Sequence, residues 1–212
     1  MVEPKPVRID IFSDLVCPWC YIGKRKLEQA VAEHGGITPV ITWRAFLLNP
    51  AMPEAGMDRK TYLQRKFGDA AENVYGRIAE AGRANGICFA FDAIRRTPDS
   101  RPAHRLVLQA AATRNARTDA VIETLFEAYF RQGRDISEAA LLGEIADTHG
   151  IEGPVTEAID HQMNHDLGEA DRLRIQSVPY FIIDGQWAIS GAQSASAFLP
   201  LFDAALAGKY AL

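Results

Sequence analysis

The sequence predicts an α/β fold that is interrupted by an all-helical insertion. Segments with strand character lie near the two ends of the 212-residue chain, at residues 7–12 and 40–43 and again at residues 180–183. Between residues 59 and 174 the apolar residues recur mostly at helical spacing, and we find no strand of useful length there. Strands at both ends with helices between them indicate one α/β unit that is split by a helical segment.

The early part of the chain predicts a β-α-β unit. Residues 7–12 (VRIDIF) form the first strand, and residues 21–33 form a helix that ends at Gly35 and Gly36. Residues 40–43 (VITW) form the second strand, which gives a unit of ordinary length. A loop rich in proline and glycine follows at residues 49–56.

The middle of the chain predicts five helices. They span residues 61–85, 103–113, 119–132, 137–150 and 154–174. Strand character then returns, and Asp184-Gly185 between residues 180–183 and 187–189 predicts a hairpin. A last helix covers about residues 196–206, where Pro200 is compatible only with the first turn.

The motif Cys17-Pro18-Trp19-Cys20 lies between the first strand and the first helix. Two thiols with this spacing at a strand-to-helix junction are typical of thioredoxin-like redox proteins. If Pro18 takes the first helical position, Cys17 becomes the N-cap, and its sulfur faces the free amides and the positive end of the helix dipole. That environment favours the nucleophilic thiolate, and Cys20, inside the first turn, is the natural resolving thiol.

With this motif, the first and last parts of the chain supply the elements of a thioredoxin fold. We therefore expect residues 1–48 and 175–212 to form a thioredoxin-like domain and residues 49–174 to form an inserted helical domain. Pro179 comes at the start of a predicted strand, where a proline is allowed. A trans proline there would merely begin the strand, but together with the motif we expect a cis Val178–Pro179 bond, with the Val178 backbone offered to an extended substrate.

Composition excludes several classes of function. The net charge of −4 and a sequence pI of about 5.7 give no electrostatic case for binding nucleic acid or an anionic membrane. Three cysteines are too few for a disulfide-held secreted scaffold, and no apolar run is long enough to span a bilayer. The first residues lack the features of a signal peptide, so we expect a cytoplasmic protein.

Five segments of the sequence resemble the DsbA-like thioredoxin superfamily, specifically its FrnE-like branch. They are SDLVCPWCYIGK at residues 13–24, FLLNP at 46–50, AHRL at 103–106, SVP at 177–179 and ISGAQ at 189–193. This branch neighbours the 2-hydroxychromene-2-carboxylate isomerases and the kappa-class glutathione transferases. The resemblance implies a thioredoxin fold with an inserted helical domain and a cleft between the two that contains the cysteine motif.

The resemblance also implies which residues bind substrate. In the isomerase and transferase relatives a serine usually stands at the nucleophile position, whereas this chain has Cys17 and a second thiol, which favours dithiol chemistry. Glutathione remains a candidate co-substrate, with Asn49 and the Val178 backbone as contacts, and no tightly bound cofactor is expected. The set of expected substrate contacts comprises Pro18, Trp19, Asn49, His104, Val178 and Pro179.

Other candidate residues have plainer interpretations. Cys88 lies in an apolar run and is expected to be a small buried side chain. His161 and His165 have a metal-compatible spacing, but no further ligand is placed nearby, so we expect a solvated helix face and no metal site. His104 and Arg105 either line the cleft or lie on the polar face of their helix.

The sequence offers two carboxylates that would help proton transfer to Cys20. Asp10 belongs to the first strand and Asp14 follows it. For each of them a structural role is the favoured interpretation.

The sequence therefore predicts a thiol-disulfide oxidoreductase that cycles a Cys17–Cys20 disulfide. Its substrate would be a protein or small molecule that carries a thiol or a disulfide, and the net direction, as reductase, oxidase or isomerase, is left open. Two alternatives remain: a glutathione-dependent transferase or isomerase that uses the same cleft, and a chaperone-like protein that binds peptides there. Monomer and homodimer are both compatible with the sequence.

Overall fold

A mixed four-stranded sheet is the centre of the computed structural model, which describes residues 4–113 and 117–208. Its strands have the order β2-β1-β5-β6 and the following bounds: β1 Lys5–Ser13, β2 Ile37–Ala45, β5 Tyr180–Ile183 and β6 Trp187–Ser190. β1 pairs with β2 in parallel and with β5 antiparallel. Residues 1–3, on which the signal-peptide argument depends in part, lie outside the described residues.

Helix α1 (Pro18–His34) connects the two parallel strands. It begins three residues before the predicted position because Pro18 occupies the first turn, where a missing amide costs nothing. It ends at Gly35, which adopts a left-handed conformation with φ 63° and whose amide donates to the Val31 carbonyl. The predicted β-α-β unit is therefore present, with longer strands than the β-branched runs alone indicate.

Six helices lie between β2 and β5 within the described residues. They are α2 (Arg59–Phe67), α3 (Ala71–Arg83), α4 (Arg101–Ala112), α5 (Thr118–Phe130), α6 (Ala139–His149) and α7 (Glu157–Arg172). The prediction of five helices is wrong because the single helix expected over residues 61–85 is broken. Gly68 takes φ 54° and ψ −138°, which no helix accommodates, and it ends α2 before α3 begins.

The expectation that the insertion contains no strand also needs a small correction. Two-residue strands β3 (Met57–Asp58) and β4 (Arg96–Thr97) pair antiparallel at the start of α2. Asp58 then caps α2, since its side chain accepts a hydrogen bond of 2.9 Å from the Thr61 amide. Strands this short carry no periodic signal in the sequence.

The C-terminal part returns to the sheet. Asp184 and Gly185 both have positive φ, 51° and 73°, and form the tight turn that the sequence predicted between β5 and β6. Helix α8 (Leu199–Gly208) follows a short 3-10 turn at Ala195–Ala197 and carries Pro200 in its first turn. The described residues contain no helix that is long and apolar enough to cross a membrane.

One hydrophobic core extends from the sheet into the helical insertion. Tyr21 of α1 stacks on Phe126 of α5 with ring centroids 4.9 Å apart, and both side chains are fully buried. Phe130 adds a further ring contact to each of them. A smaller apolar cluster joins Ala45 of β2 to α4 and α7. These contacts confirm an α/β fold with a helical insertion, and they hold the insertion against α1, the helix that carries the cysteine motif.

Candidate active site

Cys17 caps the N-terminus of α1. Its backbone is extended, with φ −96° and ψ 110°, and its carbonyl accepts the first bond of the helix from the Cys20 amide at 3.0 Å. The sulfur makes no capping hydrogen bond to the amides of the first turn, contrary to the expected orientation. It still lies at the positive end of the helix dipole, where an anion is stabilised.

The Cys17 sulfur points instead towards β5. Its thiol donates to the Val178 carbonyl oxygen at 3.6 Å, and the Val178–Pro179 peptide bond is cis. Gly23 of α1 makes this approach sterically feasible, since a Cβ at that position would lie 2.6 Å from Cγ of Pro179. The nucleophile candidate and the backbone of Val178 therefore form one compact site at the start of α1.

Cys20 lies deeper than Cys17, with 1% of its surface exposed. Burial raises the pKa of Cys20 well above its ordinary value, and a hydrogen bond with Cys17 and the charge of Cys17 raise it further. The Ser13 side chain and the Asp14 backbone oppose this rise in the pKa of Cys20. Cys20 is thus held as a protonated thiol, and the two cysteines are not bonded to each other.

The surroundings of the two thiols restrict access to them. Cys17 is only 3% exposed and Pro18 is buried, whereas the Trp19 side chain is 39% exposed at the rim. The Cys17 sulfur therefore lies below the surface, while the neighbouring Trp19 side chain is accessible to solvent.

Asn49 lines a pocket of about 330 Å³ whose lining includes neither Cys17 nor Cys20. Its side-chain oxygen accepts a hydrogen bond from the Tyr62 hydroxyl at 3.2 Å, and Arg65 and Lys66 also line the pocket. Two cations beside an amide suit a ligand that carries carboxylates.

His104 is not presented to the cleft. Its side chain is 4% exposed in the interior, and its Nε2 atom lies 3.6 Å from Oδ1 of Asp14. The helix that carries it packs its apolar side against α5 and α7, so His104 points inward with that side. The expected contact of His104 with substrate stays a prediction, and the burial of its side chain does not favour it.

The other charged candidates are engaged in ion pairs. Arg105 donates to Asp160 of α7 at 2.6 Å, and Arg44 donates to Asp10 at 2.8 Å. Asp14 is 1% exposed, and its two oxygens accept bonds from the amides of Val16 and Leu48. Asp14 thus fixes the loop before the cysteine motif. The Arg105 ion pair links α4 to α7, and the Asp10 ion pair links β1 to β2.

Cys88 is exposed, not buried as its apolar neighbours indicated. It lies between α3 and α4 in irregular structure, where no helical or strand period decides which side chains point inward. Within residues 4–113 and 117–208, no group of three or more histidine, cysteine or acidic side chains is arranged to hold a metal ion. His161 and His165 are both exposed on α7.

Two further residues, Arg59 and Tyr75, form a contact that carries no signal in the sequence. Arg59 is 6% exposed, its guanidinium lies 5.0 Å from the ring centre of Tyr75, and it donates to the Thr97 hydroxyl at 3.0 Å. Burial raises the pKa of Tyr75, the Arg59 charge opposes this rise, and the charge of Cys17 adds a smaller rise. The sequence pattern around an arginine at the start of a helix does not show whether its side chain is buried or exposed to solvent.

Comparison with known proteins agrees with this geometry. Residues 8–202 match the model of the DSBA-like thioredoxin domain. A curated relative, the uncharacterized protein YwbO of Bacillus subtilis (strain 168), is 26% identical over 210 residues, which cover 91% of this chain and 94% of the relative.

Two solved structures are also similar. The probable DsbA oxidoreductase SCO1869 from Streptomyces coelicolor has a TM-score of 0.82 at 25% identity, over 97% of this chain and 92% of that chain. The cytosolic disulfide reductase DsbM from Pseudomonas aeruginosa, solved with GSH, has a TM-score of 0.61 at 20% identity, over 94% of this chain and 96% of that one. The family match covers nearly the whole chain and includes the cysteine motif, the sheet and the helical insertion, so this protein belongs to the DSBA-like thioredoxin domain family.

Proposed function

We propose that this protein is a thiol-disulfide oxidoreductase that cycles Cys17 and Cys20 between dithiol and disulfide. The observation that carries the proposal is the position of the Cys17 sulfur, at the N-terminus of α1 and 3.6 Å from the Val178 carbonyl. A substrate strand that pairs with the Val178 backbone would bring its own sulfur beside Cys17.

The proposed reaction has two exchanges of sulfur. The Cys17 thiolate attacks one sulfur of a substrate disulfide, which breaks that bond, releases one substrate thiolate and forms a mixed disulfide. Cys20 then loses its proton and attacks the Cys17 sulfur, which releases the second substrate thiolate. The substrate gains two electrons, and the Cys17–Cys20 pair loses them; the reverse sequence oxidises a dithiol.

The burial of Cys17 narrows the class of substrate. A sulfur that is 3% exposed favours a small disulfide or an extended peptide segment over a rigid protein surface. The cytoplasm is the compartment we propose, since it supplies small thiols and disulfides and keeps most protein thiols reduced.

The test compares single cysteine variants in insulin reduction and in oxidation of a reduced model protein. We expect Cys17→Ser to abolish both activities, and Cys20→Ser to retain only the formation of a mixed disulfide. Cys88→Ser is the matched control, since it removes an exposed thiol by the same substitution and leaves turnover unchanged. Full turnover by Cys17→Ser would contradict the proposal, and suppression of aggregation by the Cys17→Ser/Cys20→Ser double variant would support a peptide-binding role instead.

A glutathione-dependent transferase or isomerase is the second candidate, and the Asn49 pocket favours it. The pocket brings Arg65 and Lys66 beside Asn49, and glutathione carries two carboxylates. In this alternative the protein acts on a glutathione-bound substrate, and activity survives Cys20→Ser as long as glutathione is supplied.

The pocket is tested by titrating glutathione into the Cys20→Ser variant and measuring the dissociation constant. We expect Lys66→Ala to weaken binding about tenfold, as the loss of one charge-assisted hydrogen bond does. Lys60→Ala removes an exposed lysine that does not line the pocket and is the control. Equal affinities of the two variants would remove Lys66 from the proposed site.

A further inference from the structure

Arg59 is a buried cation without an anionic partner. Its side chain is 6% exposed, yet among the described residues no carboxylate lies within ion-pair distance of its guanidinium. Nη1 donates to the Thr97 hydroxyl at 3.0 Å, whereas Nε is buried with no hydrogen-bond partner among the described groups. Arginine is almost never buried unless it is paired, because removal of an unpaired charge from water is costly. The charge of Arg59 therefore calls for an anion that the protein does not supply.

The acidic side chains beside this region are already paired with other arginines. Arg96, which precedes Thr97 in β4, pairs with Asp135, and Arg101 pairs with Asp99. Neither carboxylate is left to neutralise the buried guanidinium.

Arg59 lines a pocket of about 460 Å³, a volume typical of small-molecule sites. The pocket is formed by residues of α2 and α3 and of the segment that follows α3, and neither cysteine of the motif lines it. Three aromatic rings form an apolar wall, with centroid distances of 4.7 Å between Tyr75 and Phe91 and 4.7 Å between Phe89 and Phe91. The pocket thus combines one buried cation with an apolar surface.

Both parts of the pocket are held in place by the fold. The Arg59 amide donates to the Arg95 carbonyl at 3.0 Å, which anchors the start of α2. A Cβ at Gly82 would lie 2.4 Å from Cε2 of Phe89, so this ring packs directly on the backbone of α3. A site that is formed before the ligand arrives loses less entropy on binding.

Two acidic side chains limit the charge of the ligand. Glu72 and Asp92 also line the pocket, and both are exposed, where water and salt screen their charge. They disfavour an ion with two negative charges, such as a phosphate monoester. A single carboxylate, in contrast, balances the one guanidinium of Arg59.

We propose that this pocket binds a small monocarboxylate with an apolar body. The carboxylate pairs with the guanidinium of Arg59, and the apolar body packs on Tyr75, Phe89 and Phe91. The charge-assisted hydrogen bond and the burial of the apolar body supply the affinity. This inference goes beyond the proposed function, because it assigns a binding site whose occupation does not depend on thiol chemistry.

The first test compares hexanoate, hexanol and hexylamine, which share one alkyl chain, by isothermal titration calorimetry on the unaltered protein. We expect hexanoate to bind about tenfold more tightly than hexanol, since only the carboxylate pairs with the guanidinium. Hexylamine should bind no more tightly than hexanol, because Arg59 repels its charge. Equal affinities of hexanoate and hexanol, no binding of hexanoate, or tighter binding of hexylamine would each overturn the proposal.

The second test uses Arg59→Met, which replaces the charge by an unbranched apolar side chain. Because the guanidinium is buried and unpaired without ligand, we expect this variant to unfold at the same urea concentration as the parent or at a higher one. Its affinity for hexanoate should fall to that for hexanol. Arg83→Met makes the same substitution at an exposed position of α3 outside the pocket, and it should change neither quantity.

The two measurements together distinguish a ligand site from a purely structural arginine. The Arg59 guanidinium also lies 5.0 Å from the ring centre of Tyr75 and 5.7 Å from that of Tyr62. If these contacts were its whole role, Arg59→Met would lose stability and keep its affinity for hexanoate. That result would overturn the proposal and leave the proposed thiol chemistry untouched.

Discussion

Gly23 shows how a single residue determines the geometry of the site. A Cβ at Gly23 would lie 2.6 Å from Cγ of Pro179 and 3.2 Å from Cζ of Phe181. The absence of a side chain therefore lets α1 pack directly on the strand that presents the Val178 carbonyl to Cys17. The proline ring has little freedom to move away from an added methyl group.

Gly23→Ala is expected to lower both stability and activity. Overpacking costs about 1–3 kcal/mol. Because the added Cβ would lie only 2.6 Å from a rigid proline ring, we expect a cost near the upper end, which exceeds the gain of about 1 kcal/mol that alanine brings to a helix interior. The displaced Pro179 also moves the Val178 carbonyl away from the Cys17 sulfur. Chemical denaturation and insulin reduction measure the two effects.

Gly168→Ala is the matched control for that substitution. Gly168 lies in α7, and an added Cβ would meet nothing within 4 Å. This variant should gain about 0.5–1 kcal/mol with no change in activity. If Gly23→Ala proved as stable as Gly168→Ala, the close approach of α1 to Pro179 would be wrong.

At the residue level, the sequence predicted those site members that are local in the chain. Cys17, Pro18 and Cys20 share one helix start, so their spacing determines their arrangement. His104 and Asp14 are 90 positions apart in the chain, and the periodicity of apolar residues does not predict a contact between them. The exposure of Cys88 was missed for a related reason, since an apolar run in irregular structure does not specify which side chains are buried.

At the level of elements, a network of charges ties α1 to α5. Lys24 is 4% exposed, and its Nζ lies 3.1 Å from Oε2 of Glu123 and 3.2 Å from Oδ2 of Asp119. The Tyr21 hydroxyl donates to Glu123 at 2.7 Å, and Arg25 also pairs with Glu123. A buried lysine is stable only with such partners. This network therefore holds α5 of the insertion against α1.

This network makes the free energy of unfolding depend on pH under acidic conditions. Burial alone would raise the pKa of Glu123, but hydrogen bonds from Tyr21 and Arg25 and the charge of Lys24 outweigh it and lower the pKa below its ordinary value of 4.5. A lowered folded pKa contributes stability that is present above pH 4.5 and is lost as the pH falls through the folded value. We expect the parent protein to lose stability over that acid range.

Glu123→Gln should lower the free energy of unfolding at neutral pH by about 1–2 kcal/mol, since the group is partly exposed to solvent. Its stability should also fall less steeply on acidification than that of the parent. Glu144→Gln, which removes an exposed partner of Arg134, is the control and leaves the slope unchanged. Identical acid slopes for Glu123→Gln and the parent, measured by denaturation between neutral and acid pH, would contradict the role of the network.

The bounds of the elements were predicted where capping residues mark them. Gly35 ends α1, and the Asp184-Gly185 turn lies between β5 and β6, as their residue types indicate. The break between α2 and α3 was missed because Gly68 lies inside an otherwise continuous helical pattern. A glycine inside such a pattern does not by itself indicate whether the helix continues through it or ends there.

For the whole molecule, the shared core predicts that the insertion and the thioredoxin elements unfold together. The core is contiguous from β1 and α1 through α4 and α5. All three tryptophans, Trp19, Trp43 and Trp187, belong to thioredoxin elements, whereas the insertion supplies most of the helix. Tryptophan fluorescence and far-ultraviolet circular dichroism therefore report different parts of the chain.

We expect the two signals to give coincident unfolding transitions in denaturant, as for a two-state protein. Two separated midpoints, with helix lost before or after the fluorescence change, would show instead that the insertion is an independent unit. The division at residues 48–49 and 174–175 would then describe two folding domains.

The most direct test of the central claim is capture of the mixed disulfide. The Cys20→Ser protein, in a Cys88→Ser background, is incubated with glutathione disulfide and analysed by intact and peptide mass spectrometry. We expect a glutathione adduct on Cys17 that is stable in Cys20→Ser and absent when Cys20 is present to resolve it. An unmodified Cys17 in Cys20→Ser, under conditions where a control cysteine peptide is modified, would contradict the dithiol mechanism.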